Sequence, residues 1–316
     1  MNFSTDKKFF LFLIICFFVY FQGILKLPVI DRDEARFATA SKTMLISKDF
    51  IDIKMVDEPR YKKPIGIYWS QVLSNLALGN YPYDKIWIYR IPSLLGIFLC
   101  MIFIFFQVKR LEKPETAFLT VFFLLTSLLT ISELHQSKTD GMLFMFISVC
   151  NLIIFKMIYQ KSITKSEIYF FWFGIACGVL IKGPIIFVFT FLPLIFFSIF
   201  KKRNYIKFVW YFPAFLIFII ITVPWFILIN EKSGGLFWQE SIGNDLFNKV
   251  KSGQESHGFP PGYYTILLFV FFWPGSIFII DFIRKIKFNF IKSLKKNDID
   301  SYLIFSFIVP FVFYEL

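Results

Sequence analysis

The sequence predicts an all-α, polytopic transmembrane helical bundle. Hydrophobic residues make up 57% of the 316 residues, which is more apolar surface than a water-soluble domain could bury. Apolar runs long enough to cross a bilayer recur along the whole chain. Because every backbone polar group in lipid must be hydrogen-bonded within its own segment, we expect these runs to be helices.

Eight spans are predicted, and a ninth begins near residue 302. The eight lie near 9–25, 91–108, 115–131, 142–158, 168–181, 185–200, 208–229 and 263–283. The fifth and sixth are short and are separated by Lys182-Gly-Pro184, so they form either a tight hairpin or a re-entrant pair. We expect residues 1–316 to form a single transmembrane domain that is truncated at its C-terminus, because the chain stops inside the ninth span.

The distribution of charge predicts the orientation. The net charge is +12, and the bases concentrate in the short connections on the side of the N-terminus. By the positive-inside rule those connections are cytoplasmic, so the long loops 26–90 and 230–262 lie outside. The basic segments are therefore topology signals, and we expect membrane lipids rather than nucleic acid as their partners.

The first outer loop is predicted to contain two helices. Asp31 precedes Glu34 by three residues, a spacing typical of an N-cap and its capping-box partner. A helix over about 33–46 places Phe37 on an apolar face, and a second helix is predicted over 64–78. We expect both helices to lie at the membrane interface.

Carboxylates and bases in this loop are candidates for chemistry. Asp33 and Glu34 either stabilise the helix start through its dipole or provide a carboxylate that accepts a proton from a substrate hydroxyl. Arg60, Lys62 and Lys63 form either a solvated basic turn or a site for a lipid phosphate.

Three further residues lie where ionisable groups are costly or rare. Asp140 and Lys182 stand at the ends of predicted spans, so they either line an outer cavity or pair with each other. His257, in the second outer loop, is either a turn residue or a contact for a metal or a phosphate. The sequence contains no cluster of metal ligands with a recognisable spacing, and no cofactor is assigned.

Six short motifs together resemble a known class of membrane enzymes. They are Asp33-Glu-Ala-Arg-Phe-Ala, Glu58-Pro-x-Tyr-x-Lys-Pro64, Arg90-x-Pro92, Thr139-Asp140, Lys182-Gly-Pro184 and His257-Gly-x-Pro260. In this order they resemble the aminoarabinose-transferase-like and protein-mannosyltransferase-like glycosyltransferases of the GT-C class. The resemblance covers essentially the whole chain.

The resemblance implies a GT-C-like bundle that moves a sugar from a polyprenyl-phosphate carrier. The acceptor would be a lipid A-like molecule, a glycan or a protein, at the outer face of the bacterial cytoplasmic (inner) membrane. The active site would then face the periplasm. The alternative is a lipid or polysaccharide transporter or flippase, which predicts charged or broken positions near span centres in repeated halves. The sequence shows neither feature.

The resemblance also implies roles for individual residues. Asp33 matches the catalytic acid, with Glu34 beside it, and Lys63 matches the lysine that contacts the donor phosphate, with Lys62 and Arg60 as neighbours. Many members carry an acid where Lys62 stands, and that acid helps to bind a metal, so a divalent metal remains an open question here. The expected cavity residues are Arg36, Asp140, Lys182 and His257.

Overall fold

The computed structural model describes residues 4–246, 262–279, 294 and 297–315. Within these ranges the chain is almost entirely helical, as the sequence predicts. The β-structure of the described residues is one antiparallel pair, β1 (Lys54–Met55) and β2 (Glu58–Pro59), in the first long loop.

The helices follow one another with short connections. In chain order they are α1 (Thr5–Lys26), α2 (Arg32–Ser47), α3 (Gly66–Leu78), α4 (Ile86–Leu111), α5 (Pro114–Leu125), α6 (Leu128–Leu134), α7 (Asp140–Gln160), α8 (Lys165–Lys182), α9 (Ile185–Phe189), α10 (Phe191–Phe200), α11 (Ile206–Val209), α12 (Phe212–Ser233), α13 (Leu236–Trp238), a π-helix (Gln239–Leu246), α14 (Tyr263–Phe271) and α15 (Asp298–Glu315).

Among the described helices, four are long and apolar enough to cross a membrane, namely α1, α4, α7 and α12. The predicted span 115–131 is not one straight helix: α5 and α6 are bent by 63° at their junction. Ser127 caps α6 there by accepting a hydrogen bond from the backbone N–H of Thr130. The predicted span 263–283 is interrupted by turns after Phe271 and then leaves the described residues. The chain is a multi-pass membrane protein.

Glycine allows α4 and α7 to approach closely. A Cβ atom at Gly96 would lie 2.9 Å from the carbonyl oxygen of Gly141, and one at Gly141 would lie 3.1 Å from Cα of Ser93. Small residues at such a contact let two backbones pack directly in a membrane. The contact fixes the start of α7, and with it Asp140, against α4.

The two predicted loop helices exist, and their bounds agree with the prediction within two residues. Their apolar faces are buried inside the protein: Phe37 of α2 and Tyr68 of α3 belong to one core cluster with Trp225 of α12 and Leu180 of α8. A Cβ atom at Gly66 would lie 2.7 Å from the carbonyl oxygen of Leu180. The turn before α3 is therefore held against the end of α8.

Candidate active site

A buried ion pair connects α2 to α4. Arg90 Nε and Nη2 donate to the two carboxylate oxygens of Glu34 at 2.7 and 3.1 Å. The remaining N–H groups of Arg90 donate to the carbonyl oxygens of Ile24, Leu27 and Pro28 at 2.7 to 3.0 Å. All five donors of the guanidinium are thus used, and neither side chain of the pair is exposed. This pair fixes the end of α1 to the start of α2.

Glu34 has a further contact that changes its predicted role. Its carboxylate accepts a hydrogen bond from Ser137 N at 3.1 Å, and its carbonyl oxygen accepts one from Ser137 Oγ at 3.2 Å. The capping-box role predicted for Glu34 is wrong, because its side chain faces Arg90 instead of the helix start. Asp31 does act as the N-cap, accepting from the backbone N–H of Asp33 at 2.6 Å.

Asp33 remains accessible where Glu34 does not. Its side chain is 56% exposed, and it pairs with Arg36 at 3.2 Å. A carboxylate in the first turn of a helix is stabilised by the helix dipole. Asp33 lies one helical turn before Phe37, so the two share a face of α2.

Arg60 and Tyr68 lie on the same side of the protein as Asp33. The Arg60 guanidinium is 5.6 Å from the centroid of the Phe37 ring, and the Phe37 and Tyr68 ring centroids are also 5.6 Å apart. Burial raises the pKa of Tyr68 to about 12; the nearby Arg60 opposes this rise, and Asp33 adds to it. The Tyr68 hydroxyl is therefore protonated at neutral pH.

A second group of charges lies where α6, α7 and α8 meet. Lys182 Nζ is 2.6 Å from a carboxylate oxygen of Asp140, so the predicted alternative that these two residues pair is confirmed. The Lys63 ammonium also lies close enough to Asp140 to interact electrostatically with it, as does Glu133.

Lys138 connects this group to the start of α2. Its ammonium is 2.8 Å from a carboxylate oxygen of Asp31. Burial favours protonation of Asp31, but the hydrogen bond from Lys138 and those from the backbone outweigh it, so the pKa of Asp31 lies below its usual value. Asp33 and Asp140 are therefore linked through adjacent charged residues, at one end of the bundle.

Two predicted site residues are placed differently from the rest. Lys62 is exposed, whereas Lys63 beside it is half-buried. His257 lies outside the described residues. Within the part of the chain that the structure describes, no group of three or more His, Cys, Asp or Glu side chains could hold a metal ion.

The sequence interpretation missed four residues of this region. Arg90 was noted only as part of a motif, although an arginine inside an apolar span is itself a signal of a buried partner. Lys138 and Glu133 flank Asp140 in the chain and were not singled out. For Tyr68, no local pattern shows that its hydroxyl is buried.

The family is identified by a match over residues 62–228, just over half of the chain. This segment fits the model of the dolichyl-phosphate-mannose-protein mannosyltransferase family. The chain belongs to this family. The matched segment includes Lys63, Asp140 and Lys182, whereas Asp33 and Glu34 precede it. The resemblance predicted from the six motifs is confirmed.

Relatives extend the similarity beyond the matched segment. An undecaprenyl phosphate-alpha-4-amino-4-deoxy-L-arabinose arabinosyl transferase 2 from Proteus mirabilis is 23% identical over 293 residues, covering 90% of this chain and 50% of that protein. A transferase of the same name from Pectobacterium atrosepticum is 25% identical, covering 81% and 47%. An uncharacterized protein of Aquifex aeolicus is 25% identical, covering 95% and 71%. This chain thus spans about half the length of the arabinosyl transferases that it matches.

The fold is also that of a solved membrane protein. The crystal structure of ArnT from Cupriavidus metallidurans bound to undecaprenyl phosphate superposes with a TM-score of 0.79 at 17% identity, covering 99% of this chain and 60% of that one. The apo form of the same protein gives a TM-score of 0.72. At this identity the likeness establishes the fold, a GT-C-like polytopic helical bundle.

Proposed function

We propose that this chain is part of a membrane glycosyltransferase that moves a sugar from a polyprenyl-phosphate carrier to an acceptor. The observation that carries the proposal is the placement of Asp33, an accessible carboxylate, on the same side as Arg60 and near the lysines around Asp140. An acid and several cations at one end of a bundle suit a reaction between an acceptor hydroxyl and a phosphate ester. The names of the relatives support the same class of donor.

In this proposal the cations hold the donor. Lys63, half-buried beside Asp140, contacts the carrier phosphate, and Arg60 contributes from the turn before it. Lys62 is exposed and attracts the anionic headgroup towards the site. Lys182 is paired with Asp140, so these two residues together determine the electrostatic potential at the Lys63 ammonium. Phosphate is a good leaving group, and the cations stabilise the charge that it gains.

Asp33 is the proposed base of this reaction. It takes the proton of the acceptor hydroxyl while the acceptor oxygen forms a bond to the anomeric carbon of the sugar. The bond from that carbon to the phosphate oxygen breaks, and the electron pair leaves with the phosphate, so the anomeric configuration is inverted. Arg36 orients the Asp33 carboxylate through its 3.2 Å contact. Glu34 has a positioning role, since its carboxylate is occupied by Arg90.

Most of the rate enhancement is expected to come from alignment. Holding two membrane-bound substrates in line contributes up to roughly 7–11 kcal/mol, and a positioned base contributes roughly 10²–10⁴ in rate. A rigid start of α2, fixed by the Arg90–Glu34 pair, meets this requirement because it holds Asp33 in place.

The proposed location is the bacterial inner membrane, with the site facing the periplasm. The opposite end of the bundle carries a different set of basic residues, including Lys109, Lys156 and Lys201, each paired with an acid. Under the positive-inside rule that end is cytoplasmic. The acceptor would be a lipid A-like molecule, a glycan or a protein that reaches the outer face, and a divalent metal is not assigned to the site.

The test is sugar transfer in membranes from cells that express the full protein. Radiolabelled undecaprenyl phosphate-4-amino-4-deoxy-L-arabinose is supplied with lipid A, and the labelled acceptor is quantified. Asp33→Asn should insert normally and lose transfer by roughly 10²-fold or more, whereas Asp57→Asn, a change at an exposed acid of the same loop, should not. Retained turnover in Asp33→Asn would remove its proposed role.

The phosphate role is tested in the same membranes. Lys63→Ala should raise the donor KM, and Lys85→Ala, at an exposed lysine before α4, should leave it unchanged. A protein that moves the labelled lipid across the bilayer without forming a labelled acceptor would instead be a transporter or flippase.

A further inference from the structure

Two buried hydrogen-bonding atoms near Asp33 have no hydrogen-bond partner within the described fold. Arg60 Nε and Tyr68 Oη are both excluded from solvent, and neither has a hydrogen-bond partner among the described residues. Arg60 is 9% exposed and Tyr68 is fully buried. A buried polar group without a partner lowers the stability of a protein, so such groups are rare and need a reason. A bound ligand would supply the missing partner.

Phe37 brings the two groups together. Its ring contacts both the Arg60 guanidinium and the Tyr68 ring, each at 5.6 Å between centres. Asp33 precedes Phe37 by one turn on the same face of α2. The two partnerless atoms therefore belong to one small region that lies beside the proposed base, and α2, the 60–63 turn and α3 each contribute one side of it.

The chemistry of these atoms selects the class of ligand. Arg60 Nε–H is a donor with no capacity to accept, and Tyr68 keeps its proton because burial raises its pKa to about 12. Two donors on neighbouring side chains favour an oxygen with free lone pairs as their partner. Arginine forms its strongest hydrogen bonds with phosphate and carboxylate oxygens, and a neutral hydroxyl adds a second bond without another charge.

We propose that Tyr68 and Arg60 form a two-donor subsite that holds one oxygen of the carrier's phosphate. This inference rests on the proposed function and adds Tyr68 as a binding residue for the donor. The subsite contacts the phosphate on the side of α2 and α3, while Lys63 contacts it on the side of α8. As the bond to the sugar breaks and charge grows on the phosphate, both hydrogen bonds become stronger.

The substitution Tyr68→Phe tests the subsite because it removes the hydroxyl and keeps the ring against Phe37. Undecaprenyl phosphate binding is measured with the full protein in detergent, together with the melting temperature of the unliganded protein. We expect the affinity to fall by about tenfold, the effect of losing one hydrogen bond to an anion. The unliganded melting temperature should change little, because Tyr68 Oη makes no hydrogen bond of good geometry to the described residues and interacts with Arg60 only weakly.

The matched control is Tyr159→Phe, a change at a 43% exposed tyrosine near the opposite end of α7. It removes a hydroxyl from the same type of residue and should change neither affinity nor melting temperature. An unchanged affinity in Tyr68→Phe overturns the inference. A lower melting temperature with unchanged affinity would assign the hydroxyl to the fold and would overturn it as well.

The binding measurement separates this inference from the proposed function. A wild-type protein that binds undecaprenyl phosphate more tightly than Tyr68→Phe, yet transfers no sugar, would support the subsite and contradict the transferase. A Tyr68→Phe protein that binds and transfers like the wild type would contradict the subsite alone. A wild-type protein with no affinity for undecaprenyl phosphate would contradict both.

Discussion

Asp33 and Glu34 are adjacent in the chain and point to different sides of the first turn of α2. Glu34 is fully buried against Arg90, whereas 56% of the Asp33 side chain is exposed. Successive residues of a helix are rotated by about 100°, so one acid can face the interior while its neighbour remains exposed. This division makes Glu34 the residue that fixes the helix and leaves Asp33 as the accessible acid, to which the proposed function gives the role of base.

The first prediction concerns the stability that Glu34 provides. Glu34→Gln removes the charge opposite a buried guanidinium, and breaking one side of a buried pair costs about 3 kcal/mol or more. We therefore expect a clear fall in the melting temperature of the detergent-solubilised protein. Glu58→Gln, at an exposed acid in β2, is the control and should melt like the wild type.

The result for Glu34→Gln also decides between its two interpretations. If the variant melts like the wild type but transfers no sugar, Glu34 acts in the reaction rather than in the fold. A lower melting temperature, with transfer that recovers on cooling, is the outcome that a positioning role requires.

The second prediction separates pairing from catalysis at Asp140 and Lys182. Lys182→Asp alone puts two carboxylates side by side and should reduce the amount of folded protein. Combining it with Asp140→Lys restores an ion pair and should restore much of the folded protein. We expect sugar transfer to stay low by roughly 10²-fold, because the reversed pair places the wrong charge next to Lys63.

A matched exchange is available on the surface. Lys42 and Asp84 form an exposed ion pair, and exchanging them should change neither folding nor transfer. Recovery of transfer in the Asp140–Lys182 exchange would show that these two residues only hold the structure, and the proposed role of Asp140 in the cavity would be withdrawn.

The third prediction is a pH dependence of stability. Asp49 pairs with Lys232 at the end of α12 and accepts hydrogen bonds from the backbone N–H groups of Ile51 and Asp52. Burial favours protonation of Asp49, but the Lys232 hydrogen bond and the backbone bonds outweigh it, so its pKa lies below the ordinary value of 3.8. Its contribution is therefore complete above pH 3.8 and is lost as the pH falls through the lower, folded-state value.

Asp49→Asn keeps an oxygen for the backbone bonds and removes the charge. At neutral pH the variant should melt about 2 °C lower, since a partly exposed pair contributes up to about 1 kcal/mol. At about pH 3 this difference should shrink, because Asp49 becomes protonated in the wild type. Asp57→Asn, the exposed control, should match the wild type at both pH values, and a difference that grows on acidification would contradict the assignment.

Local patterns were sufficient to predict several features of this chain. The apolar runs predicted the long helices, because a bilayer leaves a segment no other way to satisfy its backbone. The Asp31 cap and the apolar face of Phe37 predicted α2 within two residues. The break between α5 and α6 was missed, although Ser127, a typical N-cap residue, stands at it; the apolar residues on both sides favour one continuous span.

The site was only partly predictable for a physical reason. The sequence identified Asp33, Lys63, Asp140 and Lys182 as ionisable residues close to apolar spans. Burying an ionisable group there costs free energy, so such residues usually serve a function. It did not distinguish Asp33 from Glu34, since both fit a helix start equally well.

The sequence by itself determined that this chain is a helical membrane protein with its candidate chemistry in the first long loop, since apolar length and charge placement are local properties. The tertiary structure alone decided which charged side chains are buried in ion pairs and which remain accessible. Arg90 lies 56 residues from Glu34 in the chain, and Phe37 lies against both Tyr68 and Arg60. Such pairings depend on which helix faces pack together, and no local pattern encodes that.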